Sequence, residues 1–224
     1  MNIFLLAGIG ALGIGATLQY FLGMKKNRWL AKRFSAQTEE ILHPLSTEYV
    51  NIGGTIGYNF VYKTHDPWKE AKGTFTFFPR HSLLYMPISF ALGNSDRFYI
   101  NIFTDKKLKG EGHIVERGHL KRAKIDDIDK MERREVEYKG KRFVYLWRNA
   151  NLSDQLDAML HNMPEPETLV HFCSFDDNKT FFLYLKPKQG IIEQNLKYFI
   201  ESTALFFKKT GKGADNGSTN SETN

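Results

Sequence analysis

The chain has 224 residues, of which 42% are hydrophobic and 25% charged, and this composition is ordinary for one or two globular units. A single cysteine, Cys173, excludes an intrachain disulfide and a cysteine-based zinc site, and it indicates a reducing compartment such as the cytosol. The formal net charge of +6 suits an anionic partner, either a lipid surface or RNA, and equally suits a generic basic surface.

The first predicted element is a transmembrane helix. Residues 3–22 carry no charged side chain, and about 20 apolar residues in a helix cover the hydrocarbon layer of a bilayer. A cleaved signal peptide has cations before its apolar core. Here the cations follow it and form a basic tract that comprises Lys25, Lys26, Arg28, Lys32 and Arg33. Since cations mark the cytoplasmic side, we predict an uncleaved signal anchor over residues 1–24, with the N-terminus outside and residues 25–209 in the cytosol.

Small side chains make the predicted anchor narrow. Ala7, Ala11 and Gly15 are spaced by four, so they share one helix face, here called the small face, on which a partner helix can approach closely. The alternative is that small residues are simply common in membrane helices. The basic tract has three interpretations: a topology signal alone, attraction to anionic lipid, or contact with ribosomal RNA phosphates.

The next segments predict a helix followed by strands. Residues 27–42 lack proline and glycine and favour a helix that ends at His43-Pro44. The strands on either side of Gly53-Gly54 predict a hairpin. A strand over residues 73–78 then leads into an apolar stretch that favours a helix despite Pro87, and the alternating residues 97–104 predict another strand.

The middle of the chain predicts a surface helix and a hairpin. Residues 121–134 are highly charged with a narrow apolar stripe, which is typical of a helix on the protein surface. The stripe comprises Ile125, Ile128 and Met131. Residues 134–149 predict a hairpin that turns at Lys139-Gly140, and a short helix is predicted to start at Ser153.

The last segments predict two strands, a helix and a disordered tail. Residues 168–175 and 179–186 are apolar strands joined by a turn at Asp177-Asn178. An apolar stripe with a period of 3.6 residues predicts a helix between Ile192 and Phe207. Residues 210–224 lack core-forming side chains and are predicted to be disordered. Helices mixed with antiparallel hairpins indicate an α+β fold on a predominantly antiparallel sheet with flanking helices.

Motifs for catalysis are absent from the sequence. The seven histidines show no metal-binding spacing, and no phosphate-binding loop, dinucleotide fingerprint or nucleophile elbow occurs. His171 and Cys173 lie two residues apart and thus on the same side of a strand; we interpret His171 as a core histidine, with a Cys/His nucleophile as the alternative. We therefore predict that the protein is not an enzyme and has no cofactor, metal or small-molecule substrate.

Three tracts in the sequence resemble a known family. A Lys-Asn-x-x-Leu-Ala tract at residues 26–31 follows the anchor; Leu83-Leu84 leads through Ser95-Asp96 into an alternating strand; and Val-His-Phe at residues 170–172 precedes an apolar strand and a long helix. Their order and spacing resemble the calumin family, endoplasmic-reticulum membrane proteins of the PAT complex and multipass translocon. The residues that carry the family motifs are Asn27, Leu30, Ala31, His171 and Phe172.

The resemblance implies a cytosolic domain that works beside the translocon and ribosome during insertion of multipass proteins, without catalysis. The acidic lumenal segment of the family is missing, so its association with calcium does not carry over, and the charged C-terminal coiled coil is replaced by a short tail, which leaves ribosome contact open. We predict a single-pass assembly factor in the endoplasmic reticulum of a eukaryote or the plasma membrane of a prokaryote, with other membrane-protein subunits as partners. The alternatives are a lipid-binding or lipid-transfer module, whose sheet and final helix enclose an apolar cavity, and a membrane-anchored enzyme.

Overall fold

One antiparallel sheet organises the part of the chain that the computed structural model describes, residues 2–209. The helices within this range are α1 (Ile3–Leu42), α2 (Tyr85–Ala91), α3 (Ser153–His161) and α4 (Glu193–Ser202). The strands are β1 (Ser46–Asn51), β2 (Gly57–Lys63), β3 (Trp68–Thr76), β4 (Arg97–Thr104), β5 (Glu111–Glu116), β6 (Glu132–Tyr138), β7 (Lys141–Arg148), β8 (Leu169–Phe175) and β9 (Thr180–Leu185). The predicted α+β class is confirmed.

The strand order is β1-β2-β3-β4-β9-β8-β5-β7-β6, and every neighbouring pair is antiparallel. The β8–β9 hairpin is inserted between β4 and β5, so two strands that follow each other in sequence are separated in the sheet. The predicted turn at Lys139-Gly140 is confirmed: both residues have positive φ, 48° and 74°, as a two-residue hairpin turn requires.

The apolar core lies on one face of the sheet. In β4 the alternate residues Phe98, Ile100 and Ile102 are fully buried and point toward it. The C-terminal half of α1, together with α3 and α4, covers this face. Gln37 ties two of these helices together, because its side-chain oxygen accepts hydrogen bonds from the backbone N–H groups of Ile192 and Glu193 at the start of α4.

The predicted anchor and the helix predicted over residues 27–42 form one continuous helix of 40 residues. Its N-terminal portion has a mean hydropathy of 1.7 and none of it is buried, so by length and composition it is able to cross a membrane. The helix ends where His43 adopts a left-handed conformation with φ of 43°, directly before Pro44.

The prediction of a surface helix over residues 121–134 is wrong. The segment forms two short 3₁₀ turns, Leu120–Arg122 and Ile128–Lys130, and its end belongs to β6. Lys124 and Asp127 have left-handed φ values of 48° and 53°, which interrupt any helix. The apolar stripe instead packs against the face of the sheet opposite the main core, here called the second face. The buried residues there are Met131, Val144 and Leu146.

Other elements have different bounds from those predicted, or confirm the predicted element. The strand predicted over residues 73–78 begins at Trp68 and ends at Thr76. The predicted helix around Pro87 is confirmed as α2, and the last helix is confirmed as α4 with a 3₁₀ extension over Thr203–Phe206. The tail predicted over residues 210–224 lies outside the described residues.

Candidate functional site

A cleft of about 460 Å³ lies on the second face of the sheet, opposite the helices. Its floor is built from every second residue of four adjacent strands, because alternate strand residues point to the same face. The segment between β5 and β6 forms its rim, with His119 and Arg122 among the lining residues. The floor residues are Tyr99, His113, His171, Cys173, Phe182 and Tyr184.

A buried chain of hydrogen bonds runs through the floor of the cleft. Arg148 donates through Nε to one carboxylate oxygen of Glu111, and the other oxygen lies 2.8 Å from His113 Nε2. His113 Nδ1 in turn lies 3.1 Å from His171 Nε2. Glu111, His113 and His171 are only 2%, 4% and 6% exposed. We call these four side chains the polar chain.

The charges in the polar chain follow from burial and pairing. Burial alone would raise the pKa of the Glu111 carboxyl, but the hydrogen bonds and charges of His113 and Arg148 outweigh burial and lower it. Burial, with added repulsion from His113 and His119, holds the pKa of His171 well below its usual value. Glu111 is therefore ionised and His171 neutral at pH 7. At the contact between His113 and His171, one ring nitrogen donates the hydrogen bond and the other accepts it.

Cys173 does not have the surroundings of a catalytic thiol. Burial raises its pKa well above the usual value, and the negative charges of Glu111 and Asp176 raise it further. Its Sγ lies 3.9 Å from His113 Nε2, which is already directed at Glu111. The thiol therefore stays protonated, and the ring nitrogen of His113 beside it is already engaged with Glu111 rather than free to act as its base.

The sequence predicts part of this cluster. His171 and Cys173 face the same side of β8 as predicted, since both line the cleft. The sequence does not single out Glu111 and His113 as site residues. Their alternation on β5 is the available signal, but the pairing of β5 with β8 depends on the tertiary fold. Among residues 2–209, no group of three or more His, Cys, Asp or Glu side chains is placed to hold a metal ion.

The residues predicted on the N-terminal half of α1 are exposed. The small face of Ala7, Ala11 and Gly15 is open, and a Cβ added at Gly15 would meet no atom within 4 Å. All five side chains of the basic tract are exposed as well. Lys26 Nζ and the Arg33 guanidinium lie 4.0 and 5.2 Å from the centroid of the Trp29 ring, so the tract is organised around an aromatic side chain.

Two of the family-motif residues on α1 point inward instead. Asn27 is fully buried, donates to the Phe78 carbonyl over 3.0 Å and accepts from Arg80 Nη1 over 3.0 Å. Leu30 is 1% exposed and belongs to the apolar core, and Ala31 is partly buried against the same core. Asn27 thus joins α1 to the connection between β3 and β4.

The motif residues on β8 lie on opposite faces of the sheet. His171 belongs to the polar chain, whereas Phe172 is fully buried in the core, with ring centroids of Phe199 and Phe206 at 6.0 and 5.2 Å. The two residues therefore have separate structural surroundings.

No protein-family model matches the sequence, and no curated protein sequence matches it. The resemblance to the calumin family therefore stays a prediction, carried by the tracts described above. Two of those tracts meet in the structure, because Arg80 contacts both Asn27 and Asp96.

Proposed function

We propose that this protein is a single-pass membrane protein of the calumin type that supports insertion or folding of multipass membrane proteins beside a translocon. The observation that carries the proposal is the continuity of α1, whose apolar first half is exposed and whose second half is built into the domain core. In this proposal α1 crosses the membrane with its N-terminus outside. The membrane is the endoplasmic reticulum in a eukaryote or the plasma membrane in a prokaryote.

A continuous helix holds the domain at a constant orientation to its anchor. Leu30 and Phe34 are 1% and 0% exposed within the core, so the anchor enters the domain without a flexible linker. A fixed orientation would present the membrane helix and the domain to partner proteins together, which supports the proposed role in arranging other membrane proteins.

The exposed parts of α1 supply the partner surfaces in this proposal. The small face permits close approach of a second membrane helix. The basic tract lies directly after the apolar residues, where it would meet anionic headgroups or ribosomal RNA.

The two alternatives from the sequence receive less support. The enzyme hypothesis relied on His171 and Cys173, and burial raises the pKa of the Cys173 thiol. The lipid-carrier hypothesis relied on an apolar cavity between the sheet and the final helix, and this layer is filled by fully buried side chains, namely Phe172, Phe199 and Phe206.

Co-purification from native membranes in mild detergent tests the proposal. Insertase or translocon subunits are expected to accompany the wild-type protein and the Ile9→Phe variant, because Ile9 lies on the face of α1 opposite Ala11 at 3.6 residues per turn. Ala11→Phe and Gly15→Phe place the same bulk on the small face and are expected to lose these subunits. Wild-type protein that purifies without any insertase or translocon subunit would contradict the proposal.

A further inference from the structure

The connection between β3 and β4 exposes an unusual set of large apolar side chains. We call residues 83–92, which include α2, the apolar loop. Leu84, Phe90 and Leu92 are 79%, 77% and 69% exposed, and Ile88 is 56% exposed. No Asp, Glu, Lys or Arg occurs between Arg80 and Asp96. A contiguous apolar surface of this kind marks contact with a membrane or a partner.

The apolar loop is held beside α1 at the point where the apolar residues of α1 end. Gln19 Nε2 donates to the Arg80 carbonyl over 2.6 Å and lies 3.7 Å from Met86 Sδ. At Gly23 an added Cβ would lie 2.3 Å from the Arg80 carbonyl carbon, so only glycine allows this approach. Met86 within the loop and the Arg80 segment just before it are therefore held beside residues 19–23 of α1, just before the first cation, Lys25.

The turn between β1 and β2 also carries an exposed apolar residue. Ile52, in the turn between β1 and β2, is 51% exposed. Residues of that turn line a surface pocket together with Tyr20, Met24 and Arg28 of α1. The β1–β2 turn and the apolar loop therefore both adjoin the same turns of α1.

We infer that the apolar loop inserts into the interfacial layer of the bilayer that α1 crosses, so that the domain is docked on the lipid surface. The inference rests on the proposed membrane anchoring of α1. With 7 residues, α2 is far too short to span a bilayer, for which about 20 are needed, and it suits shallow insertion instead.

Lipid is the occupant that the geometry favours. The contact between Gln19 and Met86 sets the depth of the loop by its attachment to the anchor itself, independently of any other protein. The exposed cations of the basic tract, together with Trp29, follow on the next turns of α1, where anionic headgroups and the interfacial region would lie.

Spin-label accessibility in proteoliposomes tests the inference. Full-length Cys173→Ala protein receives one new cysteine, at Phe90, Leu12 or Asp177, is labelled with a nitroxide, and is reconstituted in phosphatidylcholine and phosphatidylserine. Asp177 is the control, because it lies in the exposed turn between β8 and β9. That turn is beside the C-terminal end of β4, whereas the apolar loop precedes the N-terminal end of β4. The ratio of oxygen to aqueous nickel-chelate accessibility is expected to be several-fold higher at Phe90 than at Asp177, and highest at Leu12.

The outcomes separate the inference from the anchoring on which it rests. A lipid-buried Leu12 label with a Phe90 label as accessible to the chelate as Asp177 would overturn the inference and leave the anchoring intact. A Phe90 label shielded only in native membranes would assign the loop to a protein partner and also overturn it. A chelate-accessible Leu12 label would overturn both.

Discussion

Arg80 and Asp96 form a bidentate ion pair at the base of the apolar loop, with Nη1–Oδ1 and Nη2–Oδ2 distances of 2.8 Å. The same Arg80 Nη1 also donates to Asn27, so the pair fastens both ends of the loop to α1. The backbone N–H of Phe78 donates to the same carboxylate over 2.9 Å. Asp96 therefore organises the contact between the domain and its helix.

Removal of this pair should loosen the loop. Asp96→Ala is expected to lower the free energy of unfolding by about 2 kcal/mol, because hydrogen bonds to a partly buried charged group are lost. Lys69→Ala is the matched control, since its ion pair with Asp105 is well exposed, and a change below about 0.5 kcal/mol is expected there. Denaturation followed by tryptophan fluorescence in detergent measures both, and equal effects would argue against the assigned role.

Gly23 should tolerate no side chain. Gly23→Ala is expected to destabilise the protein by about 1–3 kcal/mol, since its Cβ would meet the Arg80 backbone at 2.3–2.4 Å. Gly13→Ala is the control, because a Cβ there meets nothing within 4 Å and alanine is the better helix former. Thermal unfolding distinguishes them: a Gly23→Ala protein as stable as Gly13→Ala would contradict the close packing of the Arg80 backbone on α1.

The polar chain should make stability depend on pH. His171 has a lowered pKa in the folded protein and an ordinary pKa of about 6.5 when unfolded, so the unfolded chain binds more protons below about pH 6.5. Stability is then complete above that pH and falls as the pH drops toward the lowered pKa. Glu111, whose pKa is also lowered, adds a further loss below its ordinary value of about 4.3.

A glutamine at position 171 separates these contributions. His171→Gln is expected to reduce the loss of melting temperature between pH 7 and pH 5, whereas His65→Gln, at an exposed position, should leave it unchanged. An unaltered pH dependence in His171→Gln would show that its protonation is not coupled to folding.

The thiol of Cys173 should be inert in the folded protein. It is 7% exposed and its pKa is raised by burial, so alkylation by a maleimide is expected to be many-fold slower than in denaturant. Mass spectrometry of timed reactions measures the rate. Fast stoichiometric labelling of the native protein would revive the enzyme hypothesis.

Glycosylation reports the proposed orientation. The sequons at Asn151, Asn178 and Asn216 are expected to stay unmodified when the protein is translated with microsomes, because the domain is proposed to be cytosolic. A sequon placed in an added flexible extension, well ahead of Asn2 and so clear of the membrane surface, should be modified. The reverse pattern would place the domain in the lumen.

The predicted and observed elements agree best where residues close together in the sequence determine the local structure. The uncharged residues 3–22, the turn at Lys139-Gly140 and the alternating β4 are local patterns, and each was predicted correctly as a helix, a turn or a strand. The helix prediction over residues 121–134 was wrong because the apolar stripe of this segment is compatible either with a helix or with an irregular segment packed on a sheet. Burial of Met131 against Val144 and Leu146 selected the second.

By itself, the sequence determined the long apolar helix, the basic tract, the α+β class and most hairpins, because hydrophobic period, charge and turn residues act over a few positions. Only the tertiary structure decided that α1 continues into the core, that Gly23 admits the Arg80 backbone at the base of the apolar loop, and that His113 meets His171. The two histidines are 58 residues apart in the chain, and the pairing of β5 with β8 brings them together. Such contacts depend on which strands become neighbours, and that choice is made by the packing of the whole domain.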